Sequence, residues 1–396
     1  MINQQFYQMG NAPSVIRQLF AYGLQQAAKV GKENVFDYSI GNPSIPAPKK
    51  VGDTVKKLID EMDSIQLHGY SMAAGFDSAR AAVAADLSKR FGLDVKGSEL
   101  FFTCGAAPAL ISVIKALTVS PDTEILAIAP FFPEYRPFVT SNGAKLVVVP
   151  ADTEAFQIKL DAVEKCISAN TQAVIINSPN NPSGVVFDEE NLKGLAGVLR
   201  RHEEKTGKTV FLISDEPYRE LVYDGISVPC ALTLYDDAVM CYSFSKSLPI
   251  PGERLGYIAV SDRMACGKDL YASILGAGRC LGYVNPPSLF QRVVERCLGQ
   301  TSDVSQYQQN RDLLCNGLRE LGYEFIKPSG AFYLFVKSPE PDAVAFSERA
   351  KKHELLLVPS DDFGCTGYVR IAYCVSADQI RRSMPAFKAL MDEYRK

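Results

Sequence analysis

Between Glu124 and Tyr242, short apolar runs alternate with longer amphipathic stretches, and no other feature restricts the fold of this chain so much. Glu124–Ala129, Lys145–Val149, Ala173–Ile176, Val210–Ser214 and Ala238–Tyr242 are runs of four to six residues. Helix-like segments at Tyr135–Ser141, Leu160–Ile167 and Asp188–Thr206 separate them. Apolar runs this short, punctuated by helices, are strands buried on both faces, so the expected class is α/β with a mostly parallel sheet flanked by helices. Ligands of such sheets sit beyond the carboxyl ends of the strands. Pro130-Phe131-Phe132, Asn177 to Asn181, Asp215-Glu216-Pro217-Tyr218 and Ser243 to Lys246 all fall there, and together they predict one pocket.

Upstream, an arm and an amphipathic helix (Ser14–Lys29) precede a short strand, Phe36–Ile40. Gly41 then opens a stretch with three prolines that cannot continue a regular element. It is either a plain linker or a rigid loop whose Gly41 lets backbone approach a ligand. Helices are expected at Thr54–Ile65 and Asp77–Phe91, the latter stopped by Gly92, and a strand at Phe101–Thr103. Gly105-Ala106-Ala107 leads into a helix reaching Leu117; small residues and open amides at a helix start attract phosphate. A long helical stretch, Leu289–Leu321, precedes the strands near Tyr333, Leu355 and Tyr368 and a final helix. The expected organisation is an arm plus part of a small domain (1–45), a large domain (46–290) and a smaller α+β domain (291–396).

At 396 residues, with 47% hydrophobic residues and a net charge of −3, this is an ordinary globular chain with no case for a nucleic-acid surface. Met1–Gly10 lacks the pattern of a signal peptide, and no apolar run approaches membrane-spanning length. The ten cysteines form no C-x-x-C pair, which fits reduced thiols in a cytoplasmic protein. His68, His202 and His353 stand far apart, so no metal site is expected.

The stretch Val239 to Lys246, followed by Arg254, ends a buried strand in an amine flanked by Ser243 and Ser245. That is the arrangement of a Schiff-base lysine beside a bound phosphate. Asp215 at a strand end can pair with a protonated ring nitrogen, Tyr218 and Asn181 with a ring hydroxyl, and Phe132 can stack on the ring. Arg370 suits a bidentate clamp on a substrate carboxylate. Each has a plain alternative: a helix cap for Asp215, a turn for Asn181, core packing for Phe132, a surface ion pair for Arg370. One chemistry uses Lys246, Asp215 and Arg370 in three different roles.

Ser178-Pro179-Asn180-Asn181-Pro182-Ser183-Gly184, Asp215-Glu216-Pro217-Tyr218, Ser243-Phe244-Ser245-Lys246, Gly252 to Gly256, Gly330-Ala331-Phe332-Tyr333 and Arg370 occur in an order that resembles the class I/II aminotransferases. These are fold-type I enzymes that depend on pyridoxal 5′-phosphate (PLP), and the likeness covers nearly the whole chain. The resemblance implies that Lys246 forms the Schiff base, Asp215 partners the pyridine nitrogen, and Tyr218 and Asn181 partner the ring oxygen. It further implies that Phe132 stacks and that Arg254 holds the phosphate with Ser243, Ser245 and the amides of Gly105, Ala106 and Ala107. Arg370 is the implied α-carboxylate arginine, Gly41 the loop glycine near substrate, and Tyr70 the tyrosine reaching the neighbouring subunit's phosphate. A homodimer with active sites at its interface follows from the same likeness. So does a ping-pong transfer of an amino group between an L-amino acid and a 2-oxo acid. β-Elimination (C–S lyase chemistry) or a synthase reaction uses the same fold, and a non-catalytic PLP-binding regulator is a third reading. Ser183 replaces a frequent threonine, and the Gly105 helix start is less polar than usual. Arg279 lies near where some members supply an arginine across the dimer for acidic substrates.

Overall fold

The computed structural model describes residues 1–11 and 14–395; residues 12, 13 and 396, at the expected arm and C-terminal end, lie outside the described residues. The main sheet has seven strands: β1 (Leu100–Thr103), β2 (Glu124–Ile128), β3 (Lys145–Val149), β4 (Thr171–Asn177), β5 (Phe211–Asp215), β6 (Ala238–Ser243) and β7 (Gly256–Val260). Their order is β1-β7-β6-β5-β4-β2-β3; β7 runs antiparallel to both neighbours and every other pairing is parallel. The expected mostly parallel α/β sheet is therefore present.

Side chains of a strand alternate between faces, and here the alternation sorts them into two cores. Leu126, Val174, Leu212 and Met240 meet the helices Asp77–Phe91 and Glu189–Thr206 on one face. Ile125, Ile175, Ile213 and Cys241 meet Ala106–Leu117 and Gly267–Leu281 on the other. Each buried aliphatic side chain contributes about 1.5–3 kcal/mol relative to exposure. Strand ends are aligned as well as buried: Asn177 lies beside Asp215, and Asp215 beside Cys241.

A second sheet, ordered β9-β10-β8, is antiparallel and comprises β8 (Tyr333–Lys337), β9 (Val358–Pro359) and β10 (Tyr368–Ala372). It shares a core with the helices Val304–Glu320 and Ala377–Asp392 through Leu314, Leu334, Ile371 and Phe387. Phe36–Asp37 pairs in parallel with Leu355–Leu356, which carries the N-terminal segment to this side of the molecule.

Four local expectations need correction. The helix Gly267–Leu281 has no counterpart in the sequence reading; Gly276 and Gly278 blur its apolar face, and at Gly278 a Cβ would press on the Phe101 ring at 2.9 Å. The stretch 289–321 is two helices, Ser288–Cys297 and Val304–Glu320, parted where Gly299 turns left-handed (φ +76°) and Asp303 caps the second. The first of these packs Val293, Val294 and Cys297 into the main sheet's core. Helix 54–65 is displaced to Lys49–Glu61, because the Asp63 side chain accepts from the amides of Ile65 and Gln66 and starts a new turn, Ser64–His68. Part of the expected arm is helical, Gln4–Asn11, with no buried residue.

Candidate active site

Asp215 closes β5 at 4% exposure. Its Oδ2 accepts from Tyr135 Oη at 2.5 Å and from Asn177 Nδ2 at 3.4 Å, whereas Oδ1 has no partner among the described residues. Burial pushes the carboxyl up to about 7; the Tyr135 hydrogen bond opposes that rise and the Glu216 charge adds to it. A buried acceptor without a partner costs about 1–3 kcal/mol, so a donor is owed to Oδ1. The cavity in front of it is lined by Ala106, Ala107, Phe132, Asn181 and Tyr218.

This cavity opens into a wider cleft walled by Gly41, Ser243, Ser245, Lys246, Arg254, Tyr333 and Arg370, with Phe132, Asn181 and Tyr218 common to both. Lys246 sits on the short helix Phe244–Ser247 that follows β6, and its Nζ donates to Gly41 O at 2.8 Å. Burial pulls its amine down to about 8; the Cys374 sulphur works against the shift, and the charges of Arg254 and Arg370 reinforce it. Near neutral pH about a tenth of this lysine is therefore neutral and nucleophilic, far more than an unperturbed lysine offers.

Beside it is a cradle for an anion. Gly105 precedes the helix Ala106–Leu117 with φ +95°, and a Cβ there would stand 2.6 Å from Arg254 Nη2, so only glycine lets the guanidinium lie over the helix start. Arg254, itself left-handed at φ +52°, is steadied by Pro251 O at 2.8 Å and Cys104 O at 3.3 Å. The first amides of that helix have no intrahelical acceptor and carry its positive dipole end. Ser243 Oγ and Ser245 Oγ lie 2.7 Å apart on the facing wall.

Arg370 is 2% exposed on β10, and no carboxylate among the described residues lies within ion-pair distance. Its partners are neutral: Asn181 Oδ1 at 3.0 Å, Ser39 O at 2.6 Å and the rings of Tyr333 and Phe363, while Nε is unpartnered. Tyr333 Oη also bonds Tyr218 Oη at 3.0 Å, and a Cβ on Gly41 would collide with the same hydroxyl. Arg17, Lys246, Arg254 and Arg370 face the two cavities against a single carboxyl, Asp215, a balance that draws anions inward.

The structure thus gathers Gly41, Gly105, Ala106, Ala107, Phe132, Asn181, Asp215, Tyr218, Ser243, Ser245, Lys246, Arg254 and Arg370 around one cleft. Tyr70 is not among them; it is 93% exposed. Arg279 is exposed on the last turn of its helix, and Ser183 supports the turn by donating to Asn180 Oδ1 at 2.8 Å. Sequence reasoning placed Asn177 in the pocket but missed Tyr135 and Cys374 as neighbours of the site. Asn177 was visible as the polar residue ending a strand; Tyr135 carried no signal, being 80 residues from the carboxylate it meets. Among the described residues no group of His, Cys, Asp or Glu is placed to hold a metal, and no helix is long and apolar enough to cross a membrane.

A buried lysine and a buried arginine face one cleft at the ligand-binding end of this α/β protein. Its fold is that of fold-type I transferases. The profile "Aminotransferase class I and II" matches residues 33–387, and the chain belongs to that family; it is an aminotransferase. A probable N-acetyl-LL-diaminopimelate aminotransferase of Bacillus subtilis is 30% identical over 363 residues, covering 89% of this chain and 88% of that protein. A probable aspartate aminotransferase of Methanocaldococcus jannaschii is 29% identical over 391 residues, 96% and 97% of the two chains. The crystal structure of an amino transferase from Eubacterium rectale is similar along 100% of both chains, with 52% identity and a TM-score of 0.98. The family generally depends on PLP and acts on amino and 2-oxo acids.

Proposed function

We propose that this enzyme carries PLP on Lys246 and moves an amino group between an L-amino acid and a 2-oxo acid, with Arg370 holding the carboxylate of both. The observation that carries the reading is the buried Arg370 guanidinium with no counter-ion, facing the same cleft as a buried lysine. An isolated buried charge is strongly disfavoured, and a substrate carboxylate on the guanidinium fork relieves it.

The residues fit the cofactor. The unpartnered Oδ1 of Asp215 suits a ring N–H, and the cradle of Gly105, Ala106, Ala107, Ser243, Ser245 and Arg254 suits a phosphate dianion. When bound, PLP supplies an aldehyde that condenses with amines and a ring that withdraws electrons from the substrate Cα. The chain does the rest. Asp215, its carboxylate favoured once a cation stands opposite, keeps the ring nitrogen protonated. Tyr218 and Asn181 would hydrogen-bond the ring oxygen, and Phe132 would stack on the ring. Arg370 turns the substrate so that its Cα–H points at Lys246, whose amine takes that proton and delivers one back, as base and then acid.

The exposed Tyr70 fits a role across a subunit boundary, in a homodimer whose partner receives its hydroxyl at the phosphate. The working units are the expected 46–290 and 291–396, with 1–45 as an arm and part of the smaller one, except that the helix Ser288–Cys297 goes with the larger unit, whose core takes Val293, Val294 and Cys297. Ten free cysteines fit work in a reducing cytoplasm. The relatives' names, N-acetyl-LL-diaminopimelate and aspartate, set the first donors to try. The test is to load the protein with PLP and screen donors against pyruvate and 2-oxoglutarate, assaying ammonia and thiol release in parallel. A donor should bleach the lysine-bound cofactor band and yield a 2-oxo acid without ammonia, and Lys246→Ala should lose band and turnover together. Ammonia release in place of transfer, or a Lys246→Ala variant that keeps both signals, refutes the reading.

A further inference from the structure

Four successive carbonyls of the segment that enters the cleft are each tied by a different donor. Tyr38 O accepts from the Ala372 amide at 2.9 Å, Ser39 O from Arg370 Nη2 at 2.6 Å, Ile40 O from Cys374 Sγ at 3.5 Å and Gly41 O from Lys246 Nζ at 2.8 Å. Cys374 is 5% exposed, four residues after Arg370 and two past the end of β10.

We propose that Cys374 is a positioning residue, a thiol latch that keeps the Ile40–Asn42 segment closed against the cleft when Lys246 and Arg370 are engaged elsewhere. The inference rests on the roles given to those two residues above. Lys246 stops donating to Gly41 O once its nitrogen is committed to the cofactor, and Arg370 weakens its hold on Ser39 O once its fork binds a carboxylate. Of the three side-chain ties on residues 39–41, the thiol alone is not called on by the reaction. Burial pushes that thiol up to about 12, against the opposing pull of Lys246 and Arg370, so it remains a neutral S–H donor. Gly41 cannot hold the segment by its own contacts, since the space where a Cβ would sit belongs to Tyr333.

The test compares Cys374→Ala and Cys374→Ser with the parent enzyme. In the PLP-loaded protein, Cys374→Ala should raise KM for the amino donor about fivefold and leave kcat within about twofold, the pattern of lost ground-state positioning. Amide hydrogen exchange over residues 38–42 should accelerate about tenfold in the PLP-loaded protein and by a smaller factor in the cofactor-free protein, where Lys246 and Arg370 still tie the segment, while the Asp77–Phe91 helix exchanges as before. Cys374→Ser, whose hydroxyl donates and accepts in the same place, should restore both measurements. An alanine variant with unchanged KM and unchanged exchange overturns the latch, and so does a serine variant no better than alanine, which would make the sulphur a packing group. Should the parent protein fail to bind PLP at all, the reading of Lys246 falls, while the exchange measurement still decides the latch.

Discussion

Replacing Arg370 by methionine separates a side chain kept for function from one kept for structure. Methionine has similar length and no charge. The substitution leaves Asn181 Oδ1 and Ser39 O without their present donor, at about 1–3 kcal/mol each. It also removes a buried cation with no counter-ion, whose desolvation costs several kcal/mol even after relaxation. These terms nearly cancel, so the cofactor-free variant should unfold within about 2 kcal/mol of the parent, whereas breaking a buried ion pair costs about 3–5 kcal/mol. Activity should behave differently. Two charge-assisted hydrogen bonds to a carboxylate at about 1.5–3 kcal/mol each correspond to a loss of roughly 10²–10⁴ in kcat/KM. Denaturant unfolding of the unloaded protein and steady-state kinetics of the loaded one are the two assays. A variant destabilised by more than about 4 kcal/mol, or one with near-parental kcat/KM, refutes the reasoning.

Two further outcomes follow from the same geometry. The cofactor-free protein should show a stability minimum between about pH 7 and 8 from Asp215 and Lys246. Asp215, raised from 3.8 to about 7, holds a proton in the native state that the unfolded chain has lost, so its contribution falls as pH rises through that window. Lys246, lowered from 10.5 to about 8, has lost a proton that the unfolded chain still holds, so stability recovers between those values. Denaturant titrations at stepped pH check this: Asp215→Asn should flatten the first limb and Lys246→Met the second, and a variant that leaves its limb intact refutes the assignment. Gly105→Ala, which forces a Cβ onto Arg254 at a left-handed position, should weaken PLP binding at least about tenfold in equilibrium titration, with phosphate competition weakened in parallel. Unchanged affinity for both would remove the cradle from the account.

What could be read from sequence was what is local. The strands of the main sheet are short, apolar and bounded by polar ends, so their positions and the residues just past them were legible within a residue or two. The Asp77–Phe91 helix and its stop at Gly92 were equally plain, because a left-handed glycine ends it. Long-range pairings were not legible. Nothing near Tyr135 says that its hydroxyl meets Asp215, and nothing near Cys374 says that its thiol lies over Ile40. The break between Cys297 and Val304 did carry a local signal that the sequence reading passed over: Gly299 ends one helix, and the polar run Gln300-Thr301-Ser302 leads to the capping Asp303. The position of Lys246 could be inferred; its contact with Gly41 O, 205 residues away, needed the fold.

The side-by-side alignment of Asn177, Asp215 and Cys241 bears on how this protein can be altered. A ladder of backbone bonds across three neighbouring strands, not a loop, fixes where the carboxyl of residue 215 points. A slip of one residue would turn it to the opposite face. Positions on the loops after the other strands that carry no site residue can be exchanged without moving that group. Insertions inside the strands have no such freedom, so redesign has room at the rim, around Gly105, Phe132, Asn181 and Lys246, and almost none one layer beneath it.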